Sequence, residues 1–315
     1  MAELRIEQVS KRYGQLMAVN DVSFEAHSGR VLGLLGPNGA GKTSTIRMIA
    51  YITAPDSGRV TLNGKPVGVW SQERMGYLPE ERGLYKKLKV GEQLVYLAEL
   101  KGLSRSEANR RVKAWLERFD AVDWALKKTE ELSKGMQQKM QFISTVVHEP
   151  ELLILDEPLS GLDPINAGLL NEVILELKQQ GRVILFASHR MEQVEQICDD
   201  ICLISHGEIK LKGALRDVKQ RFGRNRVLIE FGGDGAFIDT LEREQAIDIR
   251  TRTAHRVELK MLHGHHPSIV LERAMASGID IHRFERREPS MNDIFVSVVE
   301  GGNGLNVDDG EWQTA

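Results

Sequence analysis

Three short runs in this chain are apolar without a break: Val31-Leu32-Gly33-Leu34-Leu35, Leu152-Leu153-Ile154-Leu155 and Val183-Ile184-Leu185-Phe186-Ala187. Runs of that length suit strands covered on both faces. Helical stretches follow them, at 43–50, 166–180 and 190–199. Between about Val90 and Val147 the pattern is helical throughout. Leu94, Leu97 and Ala98, then Val112, Trp115, Leu116 and Phe119, recur at three- and four-residue spacing. These patterns predict an α/β domain with a largely parallel sheet and a helical insert at about 82–148.

Shorter strands are expected at 3–9 and 22–26, with Tyr13 on the loop between them, and at 57–64. Residues 201–204 and 208–211, joined at His206-Gly207, predict a hairpin. Past about Phe222-Gly223 the character changes. Strand 226–231, helix 235–243, strands 246–252 and 256–262, helix 267–276, strand 279–285 and helix 290–299 give a β-α-β-β-α-β order. That order predicts a small α+β domain of ferredoxin-like type. Ser290 and Asp293 suit a capping box for the last helix. The expected organisation is 1–222, 223–300 and a polar, glycine-rich tail at 301–315 expected to be disordered.

Composition narrows the function classes. The chain has 315 residues, 42 Lys and Arg against 45 Asp and Glu, and a net charge of −3. No global basic field points to nucleic acid or lipid. Cys198 and Cys202 are the only cysteines, too few for a disulfide framework, so buried thiols in a reducing cytoplasm are expected. No apolar stretch approaches the ~20 residues that cross a bilayer. The start of the chain lacks a signal-peptide apolar region. A soluble protein is expected, whose membrane role would need a partner.

The chemistry begins after the first apolar run. Gly36-Pro37-Asn38-Gly39-Ala40-Gly41-Lys42-Thr43, followed by Ser44, is a complete G-x-x-x-x-G-K-[ST] phosphate loop between a strand and a helix. Its glycines let backbone N–H groups turn toward phosphate oxygens, and the helix start adds positive potential. Lys42 can reach the β- and γ-phosphates, and the Thr43 hydroxyl can ligand Mg²⁺. The second apolar run ends in Asp156-Glu157-Pro158. Asp156 suits Mg²⁺, and Glu157 suits polarising a water aimed at the γ-phosphate. Alone, that segment would read as a strand ending in a solvated acidic turn. His189 follows the third run, where a strand end opens beside a nucleotide. Leu132-Ser133-Lys134-Gly135-Met136 precedes a helix whose start could bind an anion or serve as an ordinary N-cap. Ser160-Gly161-Leu162-Asp163 lies just beyond Glu157.

Jointly these motifs, in this order and spacing over residues 1–220, resemble the ATP-binding subunit of an ABC transporter. The resemblance implies a P-loop ATPase using ATP and Mg²⁺, paired head to tail as a homodimer or heterodimer. Ser133 and Gly135 of one subunit would contact the γ-phosphate held by the other's phosphate loop. Glu157 would be the general base, His189 the γ-phosphate sensor, and Asp163 an organiser across the interface. Tyr13 matches the aromatic that stacks on adenine, or else is a surface tyrosine.

Three positions depart from the family pattern. Glu80 stands where glutamine is usual after Gly76-Tyr77-Leu78-Pro79. A carboxylate can ligand Mg²⁺ but, ionised, donates no hydrogen bond to a water. Lys134 replaces a glycine, adding charge near the phosphate or standing in solvent, and Met136 replaces a glutamine. These variants, with Leu84-Tyr85 and the 288–295 segment Glu-Pro-Ser-Met-Asn-Asp-Ile-Phe, look like the subgroup that serves type-2 export permeases. The implied function is ATP hydrolysis that energises export through an integral membrane permease, from the cytoplasmic face of the membrane, with no nucleic acid. The Glu80–Tyr85 loop and the insert would meet the permease. Lys86, Lys87 and Lys89 belong to that surface or to an ordinary solvated face. The competing reading, a soluble ABC ATPase acting on nucleic acid or ribosomes, usually requires two cassettes or a long coiled coil. A small-molecule kinase would leave 132–136 and 160–163 unexplained. His263, His265 and His266 read as a solvated turn without a carboxylate or Cys pattern for a metal.

Overall fold

A computed structural model describes residues 3–81, 83–223 and 226–299. The chain opens with β1 (Glu3–Tyr13), β2 (Leu16–His27), β3 (Val31–Leu35), α1 (Lys42–Ile49), β4 (Ser57–Leu62), β5 (Lys65–Pro66), α2 (Val69–Gln72) and β6 (Met75–Leu78). The insert supplies α3 (Val90–Leu100), α4 (Arg105–Arg118) and α5 (Lys134–Val146). The α/β order resumes with β7 (Leu152–Asp156), α6 (Pro164–Gln179), β8 (Val183–Ala187), α7 (Met191–Ile197), β9 (Asp200–Ser205) and β10 (Glu208–Ala214). After α8 (Leu215–Gly223) come β11 (Arg226–Gly232), α9 (Ala236–Arg243), β12 (Ile247–Arg252), β13 (Arg256–Met261), α10 (Ser268–Ala276), β14 (Asp280–Arg286) and α11 (Met291–Val299). Two compact units divide between Leu215 and Arg216. The tail at 301–315 lies outside the described residues.

In the first unit six strands run in the order β10-β9-β3-β8-β7-β6. Five are parallel, and β10 is an antiparallel edge joined to β9 by the expected hairpin. Every residue of β3, β7 and β8 is buried, as strands covered on both faces require. A second, antiparallel sheet runs β2-β1-β4-β5. Leu32, Leu34, Ile154 and Leu185 share one apolar cluster with Ile6, Phe24 and Leu62 of that second sheet and with Ile46 and Ile49 of α1.

The β1–β2 hairpin is much longer than its sequence pattern suggests. Strand pairing continues to Tyr13 opposite Leu16, so Tyr13 sits at a strand end beside a tight turn and not on a long loop. The reason is irregular register. Shifts fall between Ile6 and Val9 and again near Lys11, and Gln8 and Asp21 hold positive φ. Bulges of this kind break the two-residue alternation that marks a strand.

The second unit is an antiparallel sheet in the order β12-β13-β11-β14, the ferredoxin-like arrangement. Phe237, Ile238 and Leu241 of α9 and Val270 and Ala274 of α10 pack on Val227, Ile229, Val257 and Leu259. The α11 capping box forms: Asp293 N–H donates to Ser290 Oγ at 3.2 Å, and Ser290 N–H to Asp293 Oδ2 at 3.1 Å. Among the described residues, no helix is long and apolar enough to cross a membrane.

Candidate functional site

Strand register gathers the motif residues. Leu34 of β3 pairs with Ala187 of β8, Ala187 with Asp156 of β7, and Leu78 of β6 with Leu155. The loops leaving these four adjacent strands carry Gly36, His189, Glu157 and Glu80 to one sheet edge, where open α/β sheets bind ligands.

The phosphate loop has its shape because two positions accept no side chain. Gly36 has φ 150°, and a Cβ there would lie 2.1 Å from the Ile204 carbonyl oxygen. Gly41 has φ 108°, and its Cβ would lie 2.4 Å from the Ala18 carbonyl oxygen. Pro37, Asn38, Gly39 and Ala40 complete the turn, braced by the Ala40 N–H to Pro37 O bond at 3.2 Å. At the start of α1 the N–H groups of Lys42, Thr43 and Ser44 have no partner within the helix, which leaves donors for an anion. Lys42 Nζ donates to Gly36 O at 2.6 Å and Pro37 O at 3.0 Å. Burial holds the Lys42 pKa below its ordinary value, while Glu157, Asp156 and Glu80 pull it the other way.

Three carboxylates face that lysine. Asp156 is 3% exposed, and its Oδ2 has no hydrogen-bond partner among the described residues. Burial, then Glu80 and Glu157, push its pKa up to about 6. An orphaned buried oxygen with two more carboxylates near enough to raise its pKa suits a hard divalent cation, and the exposed Thr43 at the start of α1 offers a hydroxyl. Mg²⁺ fits these residues; bound there, it would neutralise phosphate charge.

Glu157 stands in the left-handed region at φ 50°, a conformation that costs a non-glycine residue roughly 1 kcal/mol or more. Its N–H donates to Ala187 O at 2.9 Å, and its carboxylate is held on both sides. Oε1 accepts the His189 backbone N–H at 2.7 Å and lies 2.7 Å from His189 Nδ1, and Oε2 accepts from Ser188 Oγ at 3.1 Å. The Glu157 side chain is 9% exposed and that of His189 58%. The buried carboxylate thus touches an imidazole that reaches into solvent.

Among the described residues, Ser133, Gly135, Asp163 and Tyr13 share no hydrogen bond with this cluster. Ser133 is exposed and caps α5, its Oγ accepting the Met136 N–H at 3.3 Å. Asp163 is exposed and caps α6, accepting the Asn166 N–H at 3.0 Å. A Cβ on Gly135 would lie 3.4 Å from Gly161 O, so the α5 start and the 160–163 turn share a surface. Lys134 is exposed. Tyr13 is 44% exposed, with Lys11 Nζ 5.8 Å from its ring centroid. Asp56 fixes that strand end, accepting from Lys11 Nζ at 2.7 Å and the Arg12 N–H at 2.8 Å. Among the described residues, the 263–266 histidines belong to no close group of three metal-capable side chains. Among the described residues the trio of His, Cys, Asp or Glu whose ligand atoms already lie within 4.8 Å of one another is Glu3, Glu25 and His27, so the carboxylates around Asp156 stand wider apart than that.

Comparison with known proteins agrees with this geometry. Residues 19–160 match the ABC transporter family model. An uncharacterised ABC transporter ATP-binding protein of Bacillus subtilis (strain 168), YhaQ, is 45% identical over 94% of this chain and 98% of its own. The chain belongs to the ABC transporter ATP-binding proteins. It is therefore an ATPase of the ABC cassette fold, and the family match lies within its first unit. Residues 213–299 match the C-terminal domain of DrrA1-3-like ATP-binding proteins. The linearmycin resistance ATP-binding protein LnrL of the same Bacillus is 33% identical over 94% of this chain and 97% of its own. A solved ATP-binding subunit of an ABC transporter superposes with a TM-score of 0.66 at 33% identity, over 70% of this chain and 93% of that one.

Some participants in the ABC cassette escape a sequence reading. Ser188 is fully buried and touches Glu157, and Gln138 and Gln141 are buried on α5. The one available signal is their placement among apolar residues on a helix or at a strand end.

Proposed function

We propose that this chain is the ATP-hydrolysing subunit of an exporter whose transmembrane path lies in a separate permease. Two chains close head to tail around ATP, and hydrolysis reopens them. In each chain the loop at 36–44 holds the phosphates, with Lys42 facing the β- and γ-phosphates. Thr43, Glu80 and Asp156 hold Mg²⁺, Glu157 takes the proton of the attacking water, and His189 senses the γ-phosphate. Tyr13 stacks on adenine. The second chain supplies Ser133, Gly135 and Asp163.

The observation that supports this most is the division of the site into two surfaces. Lysine, loop and carboxylates meet at the sheet edge, whereas the α5 start and the 160–163 turn are exposed together and make only local bonds. A second copy would bring one surface to the other. Export is supported by the resistance named for LnrL and by the DrrA-like C-terminal match. The chain would then sit on the cytoplasmic face of the membrane through its permease. Affinity purification of the full chain from detergent-solubilised membranes tests the partnership. Recovery of a polytopic membrane protein is the expected result; recovery of ribosomes or DNA instead would overturn it.

A further inference from the structure

Helix α5 buries two glutamines three positions apart, Gln138 at 4% and Gln141 at 3% exposed. A primary amide is costly to bury unless its donors are matched. Gln138 Nε2 donates to Pro158 O at 2.9 Å, the residue after Glu157. Gln141 Nε2 lies 3.2 Å from Pro79 O and 3.3 Å from Glu81 O. An amide NH₂ carries two protons, so one group can hold the two carbonyls on either side of Glu80. The orientation is fixed by chemistry, because two carbonyl oxygens can only be met by the donor end. Among the described residues Gln141 Oε1 has no partner, so both of its matched bonds come from the donor end.

The backbone of α5 cannot drift from the strand that leads to Glu80. A Cβ on Gly76 of β6 would lie 2.3 Å from Thr145 O. The hydroxyls of Ser144 and Thr145 donate to Gln141 O at 2.7 and 2.8 Å, so that carbonyl is engaged within its own turn. Helix, strand and loop are therefore joined at successive points.

We propose that Gln141 is a positioning residue for Glu80: its amide brackets the loop that carries this carboxylate, so the seating of α5 sets how well a divalent cation is held. This rests on the reading of Glu80 as a metal ligand. The same helix begins at Ser133, assigned above to the opposite nucleotide. Closure of a second copy onto Ser133 thereby bears on the metal carboxylates of the first.

The test uses the full chain with a non-hydrolysable ATP analogue and Mn²⁺ as probe, binding being read from the loss of the free-ion EPR signal. Gln141→Met keeps the volume and removes both donors. Gln141→Glu keeps the shape and serves as a second variant if the first does not fold. Outer partners of metal ligands typically contribute about 10-fold or more in affinity, and a loss of about 10-fold is expected for either variant. Glu80→Ala is measured in parallel, and adding Gln141→Met to it should weaken Mn²⁺ no further. If Glu80→Ala weakens Mn²⁺ and neither Gln141 variant does, the positioning role is overturned while the Glu80 reading stands. If Glu80→Ala leaves binding unchanged, the Glu80 reading fails and the inference falls with it. A Gln141 loss that persists undiminished in the Glu80→Ala background marks general damage and also overturns it.

Discussion

Replacing Glu157 with glutamine separates chemistry from architecture more cleanly than any other change here. The glutamine oxygen can keep the His189 N–H, 2.7 Å away in the parent. Its new NH₂ then faces Ser188 Oγ, whose single proton turns to Gln193 Oε1, 3.1 Å away. The bonds to His189 and Ser188 can both persist, but a charged acceptor becomes a neutral one. Charge-assisted bonds contribute ~1.5–3 kcal/mol and neutral ones ~0.5–1.5, so folding should lose about 1–2 kcal/mol. Relief of the repulsion that helps raise the Asp156 pKa offsets part of that loss. Melting should fall by only a few degrees at roughly 2–4 °C per kcal/mol. Removing a general base typically slows a reaction by about 10²–10⁴, or roughly 3–5.5 kcal/mol at ~1.36 per decade. The assays are steady-state ATP hydrolysis, calorimetric melting, and size exclusion with ATP, where the variant should persist as a dimer. Hydrolysis within about threefold of the parent would remove Glu157 as the base. A drop of ten degrees or more would instead make its role structural.

Two further perturbations test other layers. His148 is buried with Nε2 3.2 Å from Met75 O, and burial, with Lys101, Arg111 and Arg182 nearby, lowers its pKa from 6.5 to about 4. The folded state therefore resists its protonation. The contribution is complete above pH 6.5 and is lost as pH falls through about 4, amounting to roughly 3 kcal/mol. Urea unfolding at pH 7, 5.5 and 4.5 should show the parent losing stability relative to His148→Leu; parallel curves would refute the shift. Gly36→Ala places a methyl against the Ile204 carbonyl in a backbone region closed to L-residues. A loss of about 2 kcal/mol or more is expected by calorimetry, with weakened nucleotide binding; an unchanged melting temperature would contradict the loop geometry.

The parts legible in the sequence were those where one physical demand acts on consecutive residues. β7 and β8 are buried on both faces, so their apolar runs announce them. The β-α-β-β-α-β order of the second unit follows from short apolar-bearing runs separated by turns. The β1–β2 hairpin concealed its length because its bulges at Gln8 and Asp21 interrupt the alternation. Helix α8 gave no distinct pattern beside the change of character at Gly223. The phosphate loop and the Asp156-Glu157 pair were readable because each is a local device. The link between them was not, since it depends on the parallel neighbours β3, β8, β7 and β6, whose order no local pattern encodes. Gln138, Gln141 and Ser188 were missed for a related reason: a polar residue on a helix or strand end reads as solvent-facing until its buried acceptors are known.

The two cysteines have a use that lies outside the catalytic cycle. Cys198 and Cys202 are both free and buried, and burial raises both thiol pKa values, that of Cys202 to about 12. The thiolate is the species that attacks maleimides and thiol-reactive spin labels, so the native chain should be nearly silent to them without removal of either residue. A single cysteine introduced at Ile165, 86% exposed beside the cap of α6, would be the one site to react. Inter-probe distances between two labelled copies would then report closure directly, in an otherwise unaltered protein.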